Sequence, residues 1–268
     1  MAEKEGEMAN PAPMRLMTYE QVVERYELDI LKEPGDLVLK DGDIALTKGG
    51  LDLMLNSPEY HAMFRRVQAW RYNAPTLQSL FDLVFSIKLL REALDNQMRT
   101  TALAPIANYH QLNDEIRARE SAYFVYAGSV VLALNGMLAA CKDDMDATDD
   151  DWDACPPLIH GCSVGAILRA SANNFRHNDE WAKTRSPKPN QLTSIRVLST
   201  AFREPIMPDG SDHRFSRDIC PETLELLGSS SFDTLSSHVF TFAHNMAKRQ
   251  QLYRGRGQGP KRRPVHPA

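Results

Sequence analysis

The chain has 268 residues, 43% of them hydrophobic and 25% charged, which is enough to bury a sizeable core and excludes wholesale disorder, a collagen-like repeat or a disulfide-rich scaffold. Its net charge of -4 is unevenly spread, because residues 234 to 268 carry Lys248, Arg249, Arg254, Arg256, Lys261, Arg262 and Arg263 and no acid. A basic Gly/Pro tail of this kind suits RNA or another polyanion, or serves as a solubilising arm.

The opening MAEKEGEMANPAP is acidic and lacks an apolar run, so residues 1–17 read as a disordered leader rather than a targeting peptide. Thr18 can cap a helix with Tyr19, Val22, Val23, Tyr26 and Ile30 at helical spacing, stopped at Pro34-Gly35. Asp41-Gly42 between two short apolar runs predicts a hairpin at about 36–48. Ser57-Pro58-Glu59 opens a helix through Trp70, and Pro75 reads as the restart of another.

A long helix follows over about 105–141. Within it, Ser121 to Cys141 is uncharged for 21 residues, long enough to span a bilayer. Glycines, serines and Asn135 interrupt it and no second segment could partner it, so it reads as a central helix buried on all sides, with no membrane partner.

Residues 142–157 hold seven aspartates and read as an exposed acidic loop. An EF-hand register from Asp144 fails, because Asp149 falls where the turn glycine belongs and Cys155 where the bidentate glutamate belongs. Helices resume over 158–182, 191–202 and 221–248, the last with a break near Gly228–Ser231. The fold expected is an all-α multi-helix bundle with one small N-terminal β-hairpin. It forms a single helical domain over 18–250, followed by a basic disordered tail over 251–268.

The segment 158–181 carries the functional candidates. With Arg169 at zero and about 100° per residue, Asn173 falls near 40°, Arg176 near -20°, His177 near 80° and Glu180 near 20°, so five hydrogen-bonding side chains share one stripe. Val164, Ile167, Leu168, Ser171 and Phe175 lie opposite, on the side that would be buried. Chemically, the arginines could neutralise a phosphate, His177 could move a proton near neutral pH, Asn173 could orient an oxygen and Glu180 could tune His177. RNA supplies its own 2′-hydroxyl as nucleophile, so such a set needs no metal.

On these residues the sequence resembles the HEPN family of helical bundles, many of them metal-independent ribonucleases of phage defence or toxin–antitoxin systems. Asn173 matches the family's polar position and His177 its histidine, whereas the motif's arginine position holds Ala172, with Arg169 and Arg176 the nearest cations. The resemblance implies an RNA-binding protein able to act as a metal-independent endoribonuclease, completed as a homodimer through the 158–182 helix. The alternative is a non-enzymatic helical interaction or regulatory protein that uses the same polar face against a partner protein.

Arg65, Arg66, Trp70, Arg71 and Tyr72 place basic and aromatic side chains within two turns, a second surface that could contact RNA or simply pack. Arg65, Arg66 and Arg71 therefore join the seven tail bases as nucleic-acid-binding candidates. No metal site is expected, since His238 and His244 are six apart with no acid or cysteine at ligand spacing. The cysteines Cys141, Cys155, Cys162 and Cys220 form no CxxC pair, and no GxSxG or phosphate-cradling glycine loop occurs. Reduced thiols, a cytoplasmic location and no cofactor are the resulting expectations.

Overall fold

A computed structural model of the chain describes residues 16–32, 39–40, 43–44, 46, 53, 57–100, 107–183, 186–211 and 215–255. Most of the expected leader, and the tail beyond 255, lie outside the described residues. Among those described are eight α-helices and two minimal hairpins, an all-α bundle. The helix α1 (Tyr19–Arg25) starts on a capping box, Thr18 accepting from the Gln21 N–H while the Gln21 side chain accepts from the Thr18 N–H. The first hairpin pairs β1 (Leu39–Lys40) with β2 (Asp43–Ile44), Leu39 opposite Ile44, as the Asp-Gly signal predicts.

Two long helices dominate, α2 (Pro58–Thr100) and α3 (Ala107–Asp144). They run antiparallel, since Arg66 near the start of α2 pairs with Asp144 at the end of α3, and Arg91 pairs with Glu120. Pro75 does not restart the chain but lies inside α2. A proline there forfeits the bond to the Arg71 carbonyl. The apolar phase nevertheless runs unbroken through Val67, Trp70, Ala74, Leu77, Phe81 and Val84, all buried, so packing holds the helix across the gap.

The acidic stretch is not merely a solvated loop. It contains α4 (Asp149–Ala154), capped by Thr148 and Asp151, which buries Asp151 and Trp152. A second hairpin that the helical reading of 158–182 overlooks, β3 (Leu158–Ile159) with β4 (Cys162–Ser163), precedes α5 (Val164–Lys183). His160 and Gly161 turn that hairpin with φ of 50° and 87°, and His160 Nδ1 lies 2.6 Å from the Ala201 carbonyl of α6 (Pro189–Phe202). The last two helices are α7 (Cys220–Gly228) and α8 (Phe232–Gly255), broken at the predicted place by Ser229 and Ser230 in left-handed conformation. The first residues of the expected tail are thus helical, continuing α8 to Gly255.

The main core lies where α2, α3, α5, α7 and α8 meet. Trp70 stacks on Phe232 at 5.5 Å and meets Phe240 edge-on at 5.3 Å. Helices approach closely at two glycines: a Cβ on Gly128 of α3 would fall 2.2 Å from the Phe175 ring of α5, and one on Gly165 would fall 2.5 Å from Phe242 and 2.6 Å from Trp152. A second, smaller core under α6 gathers Ala170, Trp181, Ile195, Leu198, Phe215 and Ile219.

The apolar helix α3 is not buried on all sides. Ala127, Val130, Leu134 and Leu138 face the core, while Val125, Ala133 and Gly136 are exposed, and only 39% of its most apolar stretch is buried. It is long and apolar enough to cross a membrane by length and composition. One face of it packs on the fold's interior and the other is exposed.

Candidate functional site

The N-terminal two-thirds of α5 is interior. Val164, Ile167, Leu168 and Ser171 are buried as the wheel requires, and Phe175 is half-buried, but Ala166, Ala170, Ala172 and Asn174 are buried as well. α5 is thus enclosed by α3, α4, α6, α7 and α8 until its last two turns, where Trp181 stays buried in the small core while Arg176, His177 and Glu180 are exposed. At His177 the backbone leaves helical geometry (φ -132°, ψ 16°), so the ideal wheel no longer applies beyond that point.

The five residues of the polar stripe separate into two groups. Arg169 is held by α4, donating to Asp149 and to Asp153 at 2.8 Å each, with its guanidinium 5.6 Å from the Trp152 ring centre. Lys142 approaches the same ring and also bonds Asp149, at 2.6 Å. The hydrogen bond from Lys142, helped by Arg169, holds the Asp149 carboxyl below its ordinary range, whereas burial raises that of Asp153. Asn173 donates to Ser194 Oγ at 3.2 Å, fastening α5 to α6. Arg176, His177 and Glu180 are exposed, with His177 Nδ1 3.4 Å from Glu180 Oε1, too long to fix the ring firmly.

The neighbour of Asn173 has the more demanding position. Asn174 is fully buried, donates to the Phe215 carbonyl at 2.9 Å and accepts from the Ile219 N–H at 3.1 Å. On the wheel it falls near 140°, towards the buried side, and a polar residue at such a place signals a structural hydrogen bond.

The expected nucleic-acid cations are largely engaged within the fold. Arg66 pairs with Asp144 at 2.6 Å, and Arg71 donates to the Met17 carbonyl and to Gln68. Arg249 reaches Asp151 at 3.1 Å, and Lys248 lies 3.5 Å from Asp29. Burial alone would raise the Asp151 carboxyl, but hydrogen bonds from Thr148 and Gln250 and the charge of Arg249 outweigh it and leave it lowered. Arg254 reaches the fully buried Glu59 at 2.5 Å and the Met145 carbonyl at 3.2 Å. Arg65 sits half-buried on α2, and Arg256, Lys261, Arg262 and Arg263 lie outside the described residues.

Among the described residues, two grooves lie away from the stripe. One of about 250 Å³ between α2, α3 and α7 is lined by charges already paired, such as Lys88 with Glu225 and Arg91 with Glu120. The other, of about 350 Å³, lies among α1, α2 and the start of α8 beside Tyr26, Trp70 and Phe232. Burial raises the thiols of Cys141 and Cys155 to about 12, which leaves them protonated and poorly nucleophilic. Among the described residues no group of three or more His, Cys, Asp or Glu is arranged to hold a metal ion. Comparison with protein-family models, curated proteins and solved structures found no match for this chain.

Proposed function

We propose that the chain is a non-enzymatic helical interaction protein whose partner seam is the exposed end of α5, with Arg176, His177, Asp179, Glu180 and Lys183. The observation that carries this reading is the engagement of Arg169: with its guanidinium held by Asp149 and Asp153, one of the two arginines of the stripe is turned to α4 and Arg176 is left as the arginine beside His177. Asn173 is likewise committed to Ser194. What remains is an exposed, mixed-charge surface suited to a polar partner.

A second reading, the HEPN-like metal-independent ribonuclease, is favoured by one observation. Arg176 and His177 are adjacent and solvent-facing, so RNA could reach both. One experiment separates the two. Wild type and His177→Ala are incubated with labelled structured RNA without divalent metal, and both are used as bait for protein partners. The leading reading expects no cleavage by either protein and a stoichiometric partner released by charge reversal at Arg176 and Glu180. Cleavage by wild type alone, leaving 2′,3′-cyclic phosphate ends, overturns it and establishes the ribonuclease.

A further inference from the structure

We propose that the solvent face of α6 is a docking surface for the phosphate backbone of duplex nucleic acid, carried by Lys188, Arg196 and Arg203. This inference stands apart from the reading of the exposed end of α5. The inner side of α6 packs on α5 and gives Ile195 and Leu198 to the small core. Its outer side exposes Pro189, Asn190, Thr193, Arg196 and Thr200, with Lys188 exposed at the N-terminal cap and Arg203 at the C-terminal one. At about 100° per residue, Thr193, Arg196, Thr200 and Arg203 fall within about 80° of one another and so share one face.

The charge on this face has one sign. From Trp181 to Arg203 the sequence carries five cations and no acid, where the chain's 35 acids in 268 residues would place about three. Among the described residues, Lys188, Arg196 and Arg203 are in no ion pair, whereas Arg66, Arg169 and Arg254 are each spent on carboxylates. Arg196 donates to the Pro208 carbonyl at 2.9 Å, which steadies its guanidinium without neutralising it. The Thr193 and Thr200 hydroxyls donate back to the Pro189 and Arg196 carbonyls, so the longer arginines stand clear of them. Of the acids that flank the stretch, Glu180 lies beside His177 on α5, Glu204 is half-buried, and Asp209 accepts from the Ser211 N–H and hydroxyl.

Spacing selects the occupant. Lys188 and Arg196 are about 12 Å apart along the helix, and Arg196 and Arg203 about 10 Å. Cations in such a row do not converge on one small anion, but they match a rigid polymer of phosphates. A duplex carries a charge every ~1.7 Å of its axis, so a row of about 22 Å always faces several. Guanidinium forks suit phosphate oxygens. The face exposes no aromatic ring on which unpaired bases could stack. It also lacks the apolar anchor on which a protein interface centres, since Leu192, Val197 and Phe202 are half-buried.

The test is fluorescence anisotropy of a labelled random-sequence DNA duplex, titrated with the full chain over a range of salt concentrations. Wild type is compared with a neutral pair (Arg196→Gln with Arg203→Gly), a charge-keeping pair (Arg196→Lys with Arg203→Lys) and Lys188→Gln. Arg203 has a φ of 57°, so glycine fits there without strain. Wild type is expected to bind with an affinity that falls steeply with salt. Each lost phosphate contact lowers the log–log salt slope by about one, so the neutral pair should lose about two and Lys188→Gln about one. The neutral pair should also bind at least about tenfold more weakly at low salt, while the charge-keeping pair retains the slope. No binding by wild type at low salt overturns the proposal, as does an unchanged slope in both the neutral pair and Lys188→Gln. An equal loss in the charge-keeping pair overturns it in favour of a structural role for the arginines. Tighter binding of the single strand than of the duplex, or of polyglutamate at equal charge, overturns it in favour of an unpaired strand or an acidic protein.

Discussion

Replacing Asn174 by alanine strands two buried backbone groups at once. The Phe215 carbonyl loses its donor and the Ile219 N–H its acceptor, and both residues belong to the small core under α6. At about 1–3 kcal/mol for each buried group left without a partner, the loss is roughly 2–6 kcal/mol. At about 2–4 °C per kcal/mol for a chain of this size, that is a fall in melting temperature of roughly 4–24 °C. Urea unfolding followed by tryptophan fluorescence reads it directly, with Trp181 in the affected core. Asn174→Asp refines the test, since a carboxylate still accepts from Ile219 but opposes the Phe215 carbonyl. Only the protonated carboxyl can donate there, so its pKa in the folded state is raised and the folded state binds more protons than the unfolded one. The deficit of Asn174→Asp against wild type is therefore largest at neutral pH and shrinks on acidification. A loss below about 0.5 kcal/mol in Asn174→Ala, within the range of ordinary surface changes, refutes this reasoning. So does a deficit of Asn174→Asp that grows on acidification.

Three further outcomes follow from the packing. Arg254→Ala leaves Glu59 buried and without its cation, and since the Arg254 side chain is 39% exposed the loss is discounted to about 1–3 kcal/mol. Chemical denaturation should show Glu59→Gln to be milder, because a neutral amide strands no charge. His244 is buried, and burial first, then Lys248, hold its imidazole below the ordinary 6.5. The unfolded chain then binds the extra proton, so this contribution to stability is present above about pH 6.5 and is lost as pH falls through the folded value. Urea midpoints measured against pH should show a shallower decline in His244→Gln. Gly136→Ala, where a methyl group meets nothing, should raise the melting temperature, corresponding to about 0.5–1 kcal/mol of added stability in the monomer.

Features governed by neighbours in sequence were legible before the structure. Thr18 with Gln21 caps α1, Asp41-Gly42 marks the first hairpin, and the small polar run after Gly228 breaks α7 from α8. Pro75 misleads because its local cost is real, and only the uninterrupted phase from Val67 to Val84 shows that packing outweighs it. The stripe on α5 was legible as a periodicity, but the fate of each member was not. Asp149 and Asp153, which hold Arg169, sit in an acidic run whose charge suggests solvent; Trp152 within that run was the sign of a buried turn. Asn173 and Asn174 are adjacent in sequence yet serve α6 and the 215–219 turn respectively, a division set by tertiary contacts alone.

The small core under α6 also divides the molecule dynamically. It consists of six buried side chains, and the polar contacts that tie it and α6 to the body include those of Asn173, Asn174 and His160. Opening it would release α6 and the 215–219 turn while α2, α3 and α8 stay packed, at a free energy below that of global unfolding. Amide hydrogens of α6 should therefore exchange ahead of those in the middle of α3. The exposed end of α5 borders this region, so a partner seated there would be read out as slowed exchange in α6, a signal available without knowing what the partner is.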